Sequence, residues 1–362
     1  MQHFSILFHL VHASTALAGL QARSSDFLVI LDTGIGHRST PIPRWPTSLR
    51  RLDADGTNAT ILSQFGVPLN STKDEPIGAN ALAYSSSTST LFSVTKRGVT
   101  RTNLDGSNEE LIVQNAESGQ IVSITVAEKL QRLYYGVSYD GLMYSANYDG
   151  TDVTLFRNVS QGIQFSSPTY TPANSHPGGI IVDEERGWLY WSSVKGEKDG
   201  SIRRVPLNGG GEEQILATGI DKPGQLRIAG ASLFWTERGS WSNSPTAIKY
   251  LDRLIDQLPA SPYSPNLAVP TGALIQSSQS PLFTEADYTG EKQILGIETF
   301  VVYRNNVEQI VYFGANSAGR TTFGKVVEVR WRGSGGSRGP VFTVLSADTE
   351  EVGVPVGLEY VL

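Results

Sequence analysis

Cysteine is absent from the 362 residues, and histidine and methionine are scarce, at five and two. Without thiols the chain has no thiolate nucleophile, no iron–sulfur or cysteine–zinc site, and none of the disulfide staples that hold small secreted modules together. His3, His9 and His12 all fall near the N-terminus, so removal of that segment leaves only His37 and His176. A multi-histidine metal site is thereby excluded. Charge is also thin, at 18% of residues with a net charge of -6 and no basic tract, so the chain offers no footprint for nucleic-acid phosphates. No Walker loop occurs, Gly34-x-Gly36 reads as a turn and not a dinucleotide fingerprint, and Gly-x-Ser-x-Gly does not occur in a strand-to-helix context.

What the chain does have is glycine, at 37 residues, together with 18 prolines and 39% hydrophobic residues. That composition describes a turn-rich globular protein with enough apolar surface for a large core. The apolar run from Phe4 to Leu20 ends in Ala16-Leu17-Ala18, which reads as a signal peptide over residues 1–18 with cleavage as late as 22. No later run is long enough for a membrane span. Sequons at Asn58, Asn70 and Asn158 fit a secreted glycoprotein.

Residues 23–362 read as one domain built from a degenerate repeat. Five segments align on a short strand of the form aromatic-aromatic-small: LFSVT (91–95), LYYGV (133–137), LYWSS (189–193), LFWTE (233–237) and VYFGA (311–315). Each follows an apolar strand introduced by glycine, at Gly78, Gly119, Gly178, Gly224 and Gly296. Third strands such as SLRRL (48–52) and SIRRV (201–205) run into Asp55-Gly56, Asp105-Gly106, Asp149-Gly150 and Asn208-Gly209, which are hairpin signals. A sixth glycine, Gly357, precedes a C-terminal strand LEYVL that lacks its own second strand, and FLVILD (27–32) near the N-terminus supplies one. The expected fold is all-β: a six-bladed β-propeller of four-stranded antiparallel blades, closed by pairing of the N- and C-terminal strands.

The best copy, HPGGIIVDEERGWLYWSS (176–193) followed by SIRRVPLNG (201–209), resembles the class B repeat, or YWTD propeller, of the low-density-lipoprotein-receptor family. In the five copies the final Asp of YWTD is replaced by Thr95, Val137, Ser193, Glu237 and Ala315. A second resemblance, in length, signal, sequons and degenerate blades, is to the secreted fungal hetero-Diels–Alderases of tropolone–sesquiterpenoid biosynthesis. It implies a cofactor-free enzyme that joins a tropolone- or phenol-derived o-quinone methide to a sesquiterpene alkene. No catalytic residue of that family carries over by motif.

Propeller sites sit at the channel mouth, on the loops joining strand two to three and strand four to the next blade. Loop aromatics Trp45, Tyr139, Phe165, Tyr170, Trp241 and Phe283 form the expected apolar cup for small apolar substrates. The segment from Arg253 to Gln293 reads as one long loop of that face. His176, before Pro177-Gly178, and Asp221, which with Lys222 occupies the equivalent place before Pro223-Gly224, are the candidate proton donors, with Arg44 a candidate anion ligand. Two alternatives stay open. One is an extracellular protein- or glycan-binding propeller without activity; the other is a calcium lactonase, for which Asn80, Asn147, Asp183 and Glu298 would have to converge on the axis. The preferred reading needs no metal and no cofactor.

Overall fold

The computed structural model describes residues 26–34, 46–66, 78–115, 119–138, 141–159, 176–194, 200–237, 246–251, 271–276, 296–304, 308–316, 325–332, 341–346 and 355–362. They form six four-stranded antiparallel sheets. Blade 1 is the closing blade: β24 (Pro355–Val361) is innermost, then β1 (Phe27–Asp32), β2 (Ser48–Asp53) and β3 (Thr60–Gln64). Blade 2 is β4 (Ala79–Ser85), β5 (Thr90–Thr95), β6 (Gly98–Asn103) and β7 (Glu110–Gln114). Blade 3 is β8 (Ile121–Ala127), β9 (Arg132–Val137), β10 (Leu142–Asn147) and β11 (Thr154–Asn158). Blade 4 is β12 (His176–Asp183), β13 (Trp188–Val194), β14 (Gly200–Pro206) and β15 (Gln214–Ile220). Blade 5 is β16 (Pro223–Ala229), β17 (Ser232–Glu237), β18 (Ala247–Leu251) and β19 (Thr271–Gln276). Blade 6 is β20 (Gly296–Arg304), β21 (Glu308–Asn316), β22 (Lys325–Arg332) and β23 (Val341–Ser346).

The inner strands β24, β4, β8, β12, β16 and β20 lie side by side around the axis, and β20 meets β24 to complete the ring. Closure runs through the register Phe27↔Val361 to Ile30↔Leu358, which pairs the two chain ends as expected.

Six hydrophobic clusters occupy the six seams between blades. This explains the adjacent aromatics of the repeat. Neighbouring residues of a strand face opposite sides of the sheet, and both sides of a blade are covered. Tyr190 therefore enters the seam between blades 4 and 5, while Trp191 enters the seam between blades 3 and 4. Phe234 and Trp235 divide in the same way, as do Tyr312 and Phe313. Second strands β1, β5 and β17 are buried along their whole length, whereas outer strands β3, β7 and β11 are exposed or half-buried throughout.

The small third residue of the motif also has a cause. A Cβ on Gly136 would stand 2.5 Å from the Pro177 ring of the next blade, and one on Gly314 would stand 2.8 Å from Pro355. Ser192 fits in the same place by donating its hydroxyl to Gly224 O at 2.8 Å. The Asp-Gly turns dock on the preceding blade: a Cβ on Gly106 (φ +87) would lie 2.1 Å from Leu62 O, and one on Gly150 (φ +80) 2.1 Å from Ile112 O.

Candidate functional site

Each inner strand carries a register shift near its mouth end. The extra residues are Val356, Asn80, Val122, Gly178 and Glu298, with Gly224-Gln225 in blade 5. A bulge re-aims side chains, and here they line an axial cleft together with Ser123, Arg227 and neighbouring backbone. The cleft has room for about a water molecule and mixes polar with aliphatic lining. Asn80 donates to Ile121 O at 2.9 Å, Ser123 donates to Pro177 O at 2.9 Å, and Gln225 accepts from Phe300 N at 2.9 Å.

In the wall of the cleft Arg227 ties three inner strands together. Its Nε donates to Phe300 O at 3.1 Å, and Nη2 donates to Leu358 O and to Glu359 Oε1, both at 2.8 Å. The pair is largely buried, and desolvation raises the Glu359 carboxyl above its ordinary value against the opposing pull of Arg227. Sequence reasoning passed over this pair. The available signal was an arginine standing alone in the apolar strand QLRIAG.

His176 opens β12 opposite Val194, half-buried, and Asp221 is buried in the two-residue crossover from β15 to β16. The two stand at the mouth end of adjacent blades. The bulges set the correspondence between blades: Pro177 and Pro223 are equivalent, so His176 matches Lys222 and Asp221 matches Ser175. Arg44, Trp45, Tyr139, Phe165, Tyr170, Trp241, Phe283 and Asn70 lie outside the described residues. Asn58 is exposed on an Asp-Gly turn at the far end of blade 1, where its Nδ2 donates to Asp53 Oδ2 at 2.7 Å, and Asn158 ends β11.

Two expectations need correction. The segment from Arg253 to Gln293 is not one mouth loop, because β19 pairs with β18 inside it, from Ala247↔Gln276 to Leu251↔Thr271. β18 ends at the far side, so residues 252–270 and 277–295 are separate connections. The four candidate calcium ligands do not converge either. Asn80 and Glu298 line the axial cleft, but Asn147 ends β10 and accepts from Arg132 at 3.1 Å, while Asp183 ends β12 in a pair with Arg186 at 2.7 Å.

The closing blade also holds what the five copies lack. Asp32 stands at the last position of the motif, fully buried, accepting from Gly34 N at 2.8 Å with Arg50 Nε 3.7 Å away. In blade 5 the corresponding Glu237 pairs with Lys249 at 2.8 Å. Blades 1 and 5 thus keep an acid at this position beside a third-strand cation, whereas blade 4, with Arg203 in the register place of Arg50, has Ser193 there.

No protein-family model matches the chain. The low-density lipoprotein receptor-related protein 1 of Pyricularia oryzae is 29% identical over 168 residues, which cover 44% of this chain. The match spans 54% of that relative, about half its length. Among solved structures, a chain of the nidogen/laminin complex superposes with a TM-score of 0.55 at 14% identity, over 93% of this chain and 99% of that one. The periplasmic gluconolactonase PpgL of Pseudomonas aeruginosa gives 0.48 at 12% identity, over 92% and 99%. The six four-stranded sheets and their seam packing make the chain a six-bladed β-propeller, and its blades are similar to YWTD blades.

Proposed function

We propose that the mouth face binds small apolar molecules and that the protein is a cofactor-free enzyme catalysing an intermolecular hetero-Diels–Alder cycloaddition. The observation that carries this reading is the asymmetry of the ring. Connections 33–47, 65–78, 159–175 and 277–295 all leave from the mouth end, whereas the far end has one connection of that length, 252–270, beside the tight turns 86–89, 128–131, 184–187 and 230–231. Long connections on one face of a rigid scaffold are where binding residues concentrate. The axial cleft is too narrow for an organic substrate, which leaves the mouth above it as the place for one.

In this reading a hydroxymethyl tropolone or phenol loses water: the C–O bond of the hydroxymethyl group breaks, the ring hydroxyl gives up its proton, and an o-quinone methide forms. The heterodiene then adds across a sesquiterpene alkene, making one C–C and one C–O bond. Trp45, Tyr139, Phe165, Tyr170, Trp241 and Phe283 would hold diene and dienophile in register, which lowers the entropic barrier of a bimolecular step. His176 or Arg44 would polarise the heterodiene carbonyl, and Asp221 would assist water loss. The N-terminal signal and the sequons fit export through the secretory pathway.

The test is chiral liquid chromatography–mass spectrometry of a hydroxymethyl tropolone with humulene, with and without the purified protein, in EDTA. One enriched cycloadduct enantiomer supports the reading, and an unchanged racemic background rejects it. The second reading, an extracellular propeller that binds a protein or glycan, is favoured by the similarity to a receptor-related protein. It gains from the racemic result.

A further inference from the structure

We infer that the Asp221 carboxyl is a ligand contact, an acceptor for a hydroxyl or other hydrogen-bond donor on the bound molecule. This inference rests on the mouth face being the binding site. Asp221 is 7% exposed, and neither carboxyl oxygen has a hydrogen-bond partner among the described residues. A buried polar group without a partner is costly, most of all a carboxyl. Other buried groups without partners are hydroxyl or indole groups, several of them built into the repeat, such as Ser93, Trp191, Trp235 and Thr236.

The fold does not require an acid at this position. The bulge correspondence matches Asp221 with Ile77, Gly119, Ser175, Leu295 and Gly353 in the other blades, none of them ionisable. Carboxylates at far-side blade boundaries are satisfied by the neighbouring blade. Glu128 accepts from Ser86 N at 2.6 Å and Ser85 Oγ at 2.8 Å, and Glu184 accepts from Lys129 N at 3.0 Å and Leu130 N at 3.1 Å. The residue after Asp221, Lys222, has φ +47, a left-handed conformation that costs a non-glycine residue energy. Two local rules are therefore broken side by side, in one short crossover at the channel mouth. Departures of this kind gather where function outweighs stability. The ligand that relieves the carboxyl carries a hydrogen-bond donor, which on the proposed function is the ring hydroxyl of a tropolone or phenol.

The experiment compares the wild type with Asp221→Leu and Asp221→Asn. Melting temperature is measured for each, with binding of tropolone and of its O-methyl ether, which lacks the donor, by isothermal titration calorimetry. The wild type is expected to prefer tropolone over the ether by about ten-fold or more, the size of a charge-assisted hydrogen bond. Asp221→Leu should lose that preference and melt at a higher temperature, and Asp221→Asn should weaken tropolone binding without losing stability. Equal binding of both probes by the wild type overturns the role of Asp221 while leaving the mouth as a binding face. Binding of neither probe overturns the functional reading and the ligand class with it. A fall of several degrees in the melting temperature of both variants shows a structural carboxyl and also overturns the inference.

Discussion

Replacing Arg227 by methionine removes the donor that joins β16 to β20 and β24 while keeping most of its volume. Three acceptors lose their partner: Phe300 O at 3.1 Å, and Leu358 O and Glu359 Oε1 at 2.8 Å. Both side chains of the ion pair are mostly buried, at 14% and 16% exposure, so solvent restores little. Breaking a buried pair from one side costs about 3–5 kcal/mol. With an unfolding entropy of about 2.1 cal/mol/K per residue, a chain of this length loses roughly 4–7 °C in Tm.

The sign with pH follows from Glu359, whose carboxyl is raised by burial in the fold. A raised acid contributes its full stability below the unfolded value, near 4.5, and loses it as pH climbs through the folded one. Without Arg227 the folded value rises further, so the deficit of the variant grows between acid and neutral pH. Urea unfolding followed by tryptophan fluorescence, which reports buried Trp191 and Trp235, measures this at pH 4 and pH 8. Arg227→Met with Glu359→Gln should recover part of the loss at pH 8. A single variant within about 0.5 kcal/mol of wild type at pH 8, or an equal deficit at both pH values, refutes the reasoning.

Deleting Leu358 to Leu362 removes the pairing to β1 and should leave no cooperative melt, while Leu358→Ala, from a fully buried site, should cost about 2–5 kcal/mol; both are read by circular dichroism. Gly106→Ala should cost far more than Gly187→Ala, because a Cβ meets Leu62 O at 2.1 Å in the first case and nothing within 4 Å in the second. The carboxyls of Asp55, Asp105 and Asp149 are lowered by hydroxyl hydrogen bonds from Thr57, Ser107 and Thr151. Their contribution is present above the ordinary carboxylate value and is lost on acidification, so proteolysis at these turns should rise below about pH 4. His176→Ala should melt as wild type and slow product formation in the chiral assay; a wild-type rate removes it from the mechanism.

The blades were legible because each repeat strand answers to packing on both faces. Aromatic pairs such as Tyr190-Trp191 have to fill two seams, and Gly136 or Gly314 has to clear a proline, so the constraint is written into every copy. β19 was hidden because its neighbours in sequence are long connections, and its pairing with β18 is set by tertiary contact and not by a turn signal. Arg227 and Glu359 were hidden for a different reason. Each occurs once, so no repeat exposes it, and their meeting depends on how the last strand closes the ring. The acid at the end of the YWTD motif was visible only after the closing blade was assembled, since Asp32 stands at the start of the ring and far from the other copies. The candidate site was the least legible part: His176 and Asp221 reach the mouth as expected, but nothing in the repeat announces the orphaned carboxyl.

The claim that a small molecule is handled at the mouth face is tested most directly by hydrogen–deuterium exchange of the intact protein with and without a hydroxymethyl tropolone. The account predicts slower exchange at the mouth ends of β12 and β16, over residues 176–180 and 219–225, with the far-side turns 53–58, 103–108 and 147–152 unchanged. Protection confined to the far-side turns, or none at all at a saturating concentration, would contradict it.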